Sequence, residues 1–176
     1  NQEAGFLQRA VQVSDKAMQS GDLLKSAVAL SEVGQLGPHD NLGSYAKPAM
    51  QSKELYLELK KQVDSRVAKA KSELLDSNAS NPLEPMLTVY EGEAVCKLFP
   101  KWKTEGATIT RELAKQERYA NEAAQAEAIV RARVVAASLS PRIRNRAENA
   151  YANVIRRFPN TAADTLARTE LASFAP

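Results

Sequence analysis

Leu55, Leu59, Val63, Val67, Ala70 and Leu74 recur at spacings of 4, 4, 4, 3 and 4 residues, and only an α-helix gathers such positions on one face. The sequence therefore predicts a long helix over residues 44–78, with Pro48 tolerable because it falls near the start. The same periodicity runs through the rest of the chain, cut by Pro and Gly. Phe6, Ala10, Val13 and Ala17, flanked by Leu7, Val11 and Met18, predict a first helix. Gly21 suits the left-handed residue that ends it, and Asp22 can cap a second helix carrying Leu23, Ala27 and Leu30. Together they form an αα-hairpin over 3–36, stopped by Gly37-Pro38.

Beyond the "DSNASNP" loop, Asn81 and Pro82 open a helix over 82–99 that is apolar nearly all round, from Leu87 and Val89 to Cys96 and Leu98. Such a helix belongs in the middle of the molecule. A long Ala-rich helix is expected next, within 104–139. Its stripe of Ile109, Leu113, Ala120, Ala124, Val130 and Val134 is small enough for close packing. Ser140-Pro141 then starts a C-terminal hairpin over 140–175. Ile143, Ala147, Ala150, Val154 and Phe158 line its first helix; Pro159 breaks it. Asn160 or Thr161 caps the last helix, whose Ala163, Leu166, Ala167, Leu171 and Phe174 face inward. The expectation is a single all-α domain spanning 1–176, with about seven antiparallel helices. With 29 Ala and 18 Leu against 7 Gly, local propensity points the same way.

Composition narrows function by exclusion. One His and one Cys cannot build a His/Cys metal site, a disulfide framework or a Cys-x-x-Cys pair. No Gly-rich phosphate loop, serine-nucleophile elbow or His-Glu-x-x-His segment occurs, so neither catalysis nor a cofactor is expected. No apolar run approaches the ~18 residues of a membrane span. A chain starting at Asn1 fits a fragment or a processed form, for which a periplasmic or secreted setting is expected, with a cytoplasmic one as the alternative.

"SGDLLKSAVALSEVGQLGPHD" and "AENAYANVIRRFPNTAADTLARTELASF" resemble tetratricopeptide units. Each joins a tight turn or a Pro to helices whose residues match the repeat's positions, here Ala27, Leu30, Ala147, Tyr151, Val154, Ala163 and Ala167. The likeness covers both ends. It departs in the middle, where Pro38, Pro100 and Pro159 stand 62 and 59 residues apart, not multiples of the family's 34. The resemblance implies a superhelix or bundle that binds a protein or peptide in a groove. The "FPNTAA" segment is also similar to tails of helical regions attached to secreted thioredoxin-like proteins. Without paired cysteines that likeness implies no redox activity.

Arginine supplies the sharpest local signal. Residues 131–157 hold seven Arg against Glu148 alone. On the helix after Ser140, Arg142 and Arg146 continue through Asn149 and Asn153 to Arg156 and Arg157, opposite Ile143 and Val154. This stripe reads as a surface for phosphate, acidic peptide or nucleic acid, or more plainly as a solvated face with Arg156 and Arg157 complementing the helix dipole. Trp102, between Lys101 and Lys103, either anchors a partner or folds back over the core, and the second is favoured. Tyr56 and Tyr119 are candidates for a binding concavity, whereas Tyr90 and Tyr151 fall on apolar stripes. Cys96 reads as a buried hydrophobe, His39 as a turn residue, and Glu93 as the partner of Lys97 rather than of Glu91. Three readings result: a protein-interaction module using a groove between the long helices, an anion-binding domain using the arginine face, or an accessory segment of a larger secreted protein.

Overall fold

The computed structural model describes residues 2–33, 46–75 and 81–174. Among these the chain is all-α, without a strand. The helices are α1 (Gln2–Gln19), α2 (Leu23–Val33), α3 (Ala46–Leu75), α4 (Leu83–Leu98), α5 (Lys103–Ile109), α6 (Ala120–Ala137), α7 (Pro141–Arg144), α8 (Ala147–Arg157) and α9 (Ala162–Ser173). A 3₁₀ turn, Glu117–Tyr119, precedes α6. The expected Pro38 stop, the "GPHDN" turn with His39, Tyr45 and most of the "DSNASNP" loop lie outside the described residues.

Gly21 ends α1 as its sequence context requires. It adopts φ 80°, its N–H donates to Met18 O at 3.0 Å, and the Asp22 N–H reaches Ala17 O at 2.8 Å. These are the paired bonds of a Schellman motif. Asp22 Oδ1 then caps α2 by accepting from Lys25 N at 3.0 Å. Arg66 Nη1 donates to Gly21 O at 2.8 Å and ties this turn to α3.

α4 is the hub, packed against α2, α3, α5 and α6. Pro85 sits in its first turn, where amide hydrogens lack intrahelical acceptors and a missing N–H costs nothing. Pro82, not Asn81, occupies the cap position, without a side-chain cap bond. Leu59, Val63, Val67, Ala70 and Leu74 of α3 are all buried, as their spacing predicts, while Leu55 at the head of the stripe is half-buried. The approach of α3 to α4 is close because Gly92 has no side chain: a Cβ there would lie 2.3 Å from Val67 Cγ2. Gly106 lets α5 approach in the same way, since its Cβ would stand 2.5 Å from Cys96 Cβ.

Four expectations need correction. The buried face of α1 is Leu7, Ala10, Val11, Ser14, Ala17 and Met18, while Phe6 is exposed and Val13 half-buried. The stripe is rotated because buried Ser14 is satisfied by Ser26 at 2.7 Å, so a polar residue occupies a core position. Secondly, the single helix expected within 104–139 is two helices separated by turns over 110–116. Thr110 donates its hydroxyl to buried Glu93 of α4, while Tyr119 and Arg118 both donate to the free carbonyl of Leu74 at the end of α3. These contacts bend a segment whose local propensity is helical. Thirdly, α6 buries Ala123, Ala126, Ile129, Val130 and Ala132 instead of Ala120 and Ala124. Lastly, the helix after Ser140 is interrupted at Asn145 and Arg146. There Arg146 N donates to Ile143 O at 3.0 Å, a tighter three-residue step that leaves Ile143 44% exposed.

Candidate functional site

The most heavily charged partly buried group joins four helices. α4 contributes Glu91, α6 Arg133, α8 Tyr151 and α9 Glu170. Arg133 Nε donates to both Glu170 oxygens at 3.0 and 3.1 Å, and its Nη2 to Glu170 Oε1 at 2.5 Å. Its Nη1 reaches Glu91 Oε1 at 2.5 Å. The Tyr151 hydroxyl donates to Glu170 Oε2 at 2.9 Å. Side-chain exposures of 25% for Arg133, 29% for Glu91 and 20% for Glu170 place the cluster at the wall of a cleft. That cleft, about 510 Å³, is lined also by Asp22, Leu24, Lys25, Ala137 and Phe174.

Electrostatics follow from burial. Loss of water raises the Glu91 carboxyl above its ordinary range although Arg133 pulls the other way. Burial, then the negative charge and hydrogen bond of Glu170, raises the Tyr151 phenol. Burial alone would weaken the Arg133 charge, but Glu170 and Glu91 outweigh it and hold the guanidinium protonated. A neutral phenol and a permanently charged guanidinium that fix two carboxylates can hold a ligand; they are poorly matched to exchanging protons near neutrality.

Sequence reasoning missed this cluster, since Arg133 was counted in the basic run and Glu91 entered only beside Glu93. One signal was present: Glu91 is a charge on a nearly all-apolar helix, a position that demands a buried counterion.

The arginine stripe is divided by the structure. Arg142, Arg144, Arg146, Arg156 and Arg157 are exposed, on α7, on α8 and at the break between them. Among the described residues no carboxylate lies within 4 Å of these five. Arg156 bonds Asn153, and Arg157 lies 5.0 Å from the Phe158 ring centroid. Arg131 pairs with Glu127 at 2.6 Å, and Arg133 belongs to the cleft, so the free basic surface is smaller than the sequence suggests.

Trp102 takes the favoured core-covering place, and the two tyrosine candidates for a binding concavity, Tyr56 and Tyr119, are corrected. Trp102 is buried and stacks on Tyr56 with ring centroids 4.2 Å apart, beside Phe99 at 4.6 Å. It closes the core at the α4–α5 corner rather than offering an anchor, and Tyr56 is spent covering it. Tyr119 is buried too, because its hydroxyl serves the Leu74 carbonyl. Cys96 is fully buried as expected; loss of water pushes its thiol up to about 11. Glu93 pairs with Lys97 and accepts from Thr110.

A second concavity, about 530 Å³, lies between α1 and α3. Among the described residues, Val11 and Leu55 supply its apolar part and Asp15, Glu54 and Glu58 its charges, with Gln8, Gln12 and Gln51 between them. The sequence pointed to a groove between long helices but not to this pair, because α1 and α3 are separated in the chain by α2. Among the described residues, no His, Cys, Asp and Glu group could hold a metal ion, and no helix is long and apolar enough to cross a membrane. Comparison of the chain with family models, with curated proteins and with solved structures finds no match.

Proposed function

We propose that the protein is a non-catalytic interaction module of tetratricopeptide-like type that takes a segment of a partner protein in the α1–α3 groove. The observation that carries this reading is the groove's make-up. An apolar strip with three carboxylates and, among the described residues, no Lys or Arg in its lining suits a segment with an apolar anchor flanked by basic residues. Helices set by their own packing leave such a groove preformed, which lowers the cost of binding.

A photo-crosslinking residue at Gln12, compared with one at Arg144, tests the reading. Capture of one protein from Gln12 but not Arg144, lost in a Glu54→Lys/Glu58→Lys variant and retained in Arg156→Glu/Arg157→Glu, is the expected result. Capture that ignores the groove charges overturns it.

A second reading, an anion-binding domain, is favoured by one observation: five exposed arginines on α7, α8 and the break between them have no carboxylate partner among the described residues. Affinity for a DNA oligonucleotide or heparin would then fall steeply with salt, by about 10³-fold or more between 50 and 200 mM if six or more phosphates are contacted. A shallow slope, or none, would remove it.

A further inference from the structure

We propose that the outer face of α8 reads duplex DNA from the major groove, with the arginines of α7 and of the two ends of α8 seated on the phosphates. This inference rests on the anion-binding reading above and is independent of the α1–α3 groove. Its basis is where the arginines stand. Arg142 and Arg144 lie on α7, and Arg146 takes the N-cap position of α8. That is the amide end of α8, where the helix dipole disfavours a cation, so these three do not serve the helix. Buried Asp164 is taken by Arg168 and half-buried Glu170 by Arg133. Glu148 is then the one exposed carboxylate among described residues 140–174, against six exposed arginines.

The outer face of α8 supplies more than charge. At about 100° per residue, Asn149, Asn153 and Arg156 fall within about 60° of one another, opposite buried Ala147, Tyr151 and Val154. Glu148 stands off to one side. Arg and Asn are the side chains that pair bidentately with guanine and adenine edges in the major groove. Arg156 donates to Asn153, so the two are presented together. The 11 residues of α8 make it about 16 Å long, and a helix enters a groove about 12 Å wide. Other anions fit less well. Single strands need stacking aromatics, whereas Tyr151 is buried and Phe158 half-buried beneath Arg157. A bilayer surface needs large apolar side chains on the inserted face, and this face carries only Ala152. The major groove of duplex RNA is too narrow for side chains to read. A free phosphate needs enclosure, and neither cleft described above is lined by these arginines.

The test selects duplexes bound by the full chain from a pool randomised over its central base pairs, then measures the enriched duplex and a scrambled one by fluorescence anisotropy. Enrichment of a core of about four to five base pairs is expected, the length of α8 divided by the rise of B-DNA. Asn149→Ala should weaken the enriched duplex about five- to a hundredfold, the worth of one base-edge pairing, and leave the scrambled duplex unchanged. Arg144→Gln/Arg146→Gln should instead weaken both duplexes alike and lower the salt slope by about two. All three positions are exposed, so the variants keep the fold, which circular dichroism checks. No enriched sequence, or an Asn149→Ala loss shared equally by both duplexes, would overturn the proposal. If heparin still bound with a steep salt slope in that case, the anion-binding reading would stand without it; if neither heparin nor DNA bound, both would fall. Tighter binding to vesicles of anionic phospholipid than to the enriched duplex would also overturn the proposal, in favour of a bilayer surface.

Discussion

Ser14 Oγ and Ser26 Oγ lie 2.7 Å apart with both side chains at 0% exposure, joining α1 to α2 through a hydrogen bond in an otherwise apolar interface. The pair explains why α1 is rotated from the face its apolar residues suggest. Either Ser→Ala substitution strands the other hydroxyl and should cost about 1–3 kcal/mol. The double alanine variant should recover most of that loss, because no polar group remains to be stranded. Urea melts of the four proteins in a double-mutant cycle measure the coupling; additive losses would mean that each serine has another acceptor.

Gly92 offers a change of sign. Adding a methyl there drives it into Val67, and overpacking of about 1–3 kcal/mol should exceed the helix-propensity gain of about 1 kcal/mol. In a Val67→Ala background the obstructing methyls are gone. There the same Gly92→Ala change should stabilise the protein, which thermal melts can read directly.

Cys96 should be silent. Its thiol is fully buried and pushed up to about 11, so the reactive thiolate is scarce at neutral pH. Ellman's reagent should label it only once denaturant has opened the α4–α5 corner. Rapid labelling of the native chain would show that the corner opens readily.

On the C-terminal hairpin, exposure separates residues that one stripe placed together. Val154 is 2% exposed and Ile143 44%. Val154→Asp buries an unpaired charge and should cost about 3 kcal/mol or more. Ile143→Asp and Arg146→Glu, both on the surface, should each stay within about 0.5 kcal/mol. Circular-dichroism melts of the three variants check the ordering.

Asp164 should set part of the acid limit of stability. Asn160 N donates to its Oδ2 at 2.9 Å and Arg168 Nε to its Oδ1 at 2.6 Å. The backbone bond first, then Arg168, holds this carboxyl below its ordinary range. The folded chain thus binds this proton less readily than the unfolded one. Its contribution is present above about pH 4, the unfolded carboxylate value, and is lost as pH falls through the lowered folded value. Asp164→Asn should flatten the acid limb of a stability–pH profile and leave its alkaline limb unchanged.

The helices were legible wherever an apolar repeat met a clear stop. The stripe from Leu59 to Leu74 is buried as its spacing requires, the Gly21-Asp22 turn ends one helix and caps the next, and Thr161 accepts from Asp164 N to open α9. Those are local effects, written within a few residues of one another. The segment over 110–116 shows the limit. Thr-Arg-Glu-Leu-Ala-Lys-Gln contains neither Gly nor Pro, yet the helix stops there because Glu93 and Leu74, distant in the chain, take hydrogen bonds from its flanks. The cleft was illegible for the same reason, since Glu91, Arg133, Tyr151 and Glu170 come from four helices.

Order along the chain dictated that this protein is a set of amphipathic helices, and it dictated where most of them turn, because turn geometry and apolar periodicity act over one or two helical turns. Which charged residues meet, which aromatic rings are spent on the core and where the surface is left concave depended on how the helices pack. Desolvation and pairing energies arise between residues that are neighbours in space, and linear spacing carries no record of that proximity.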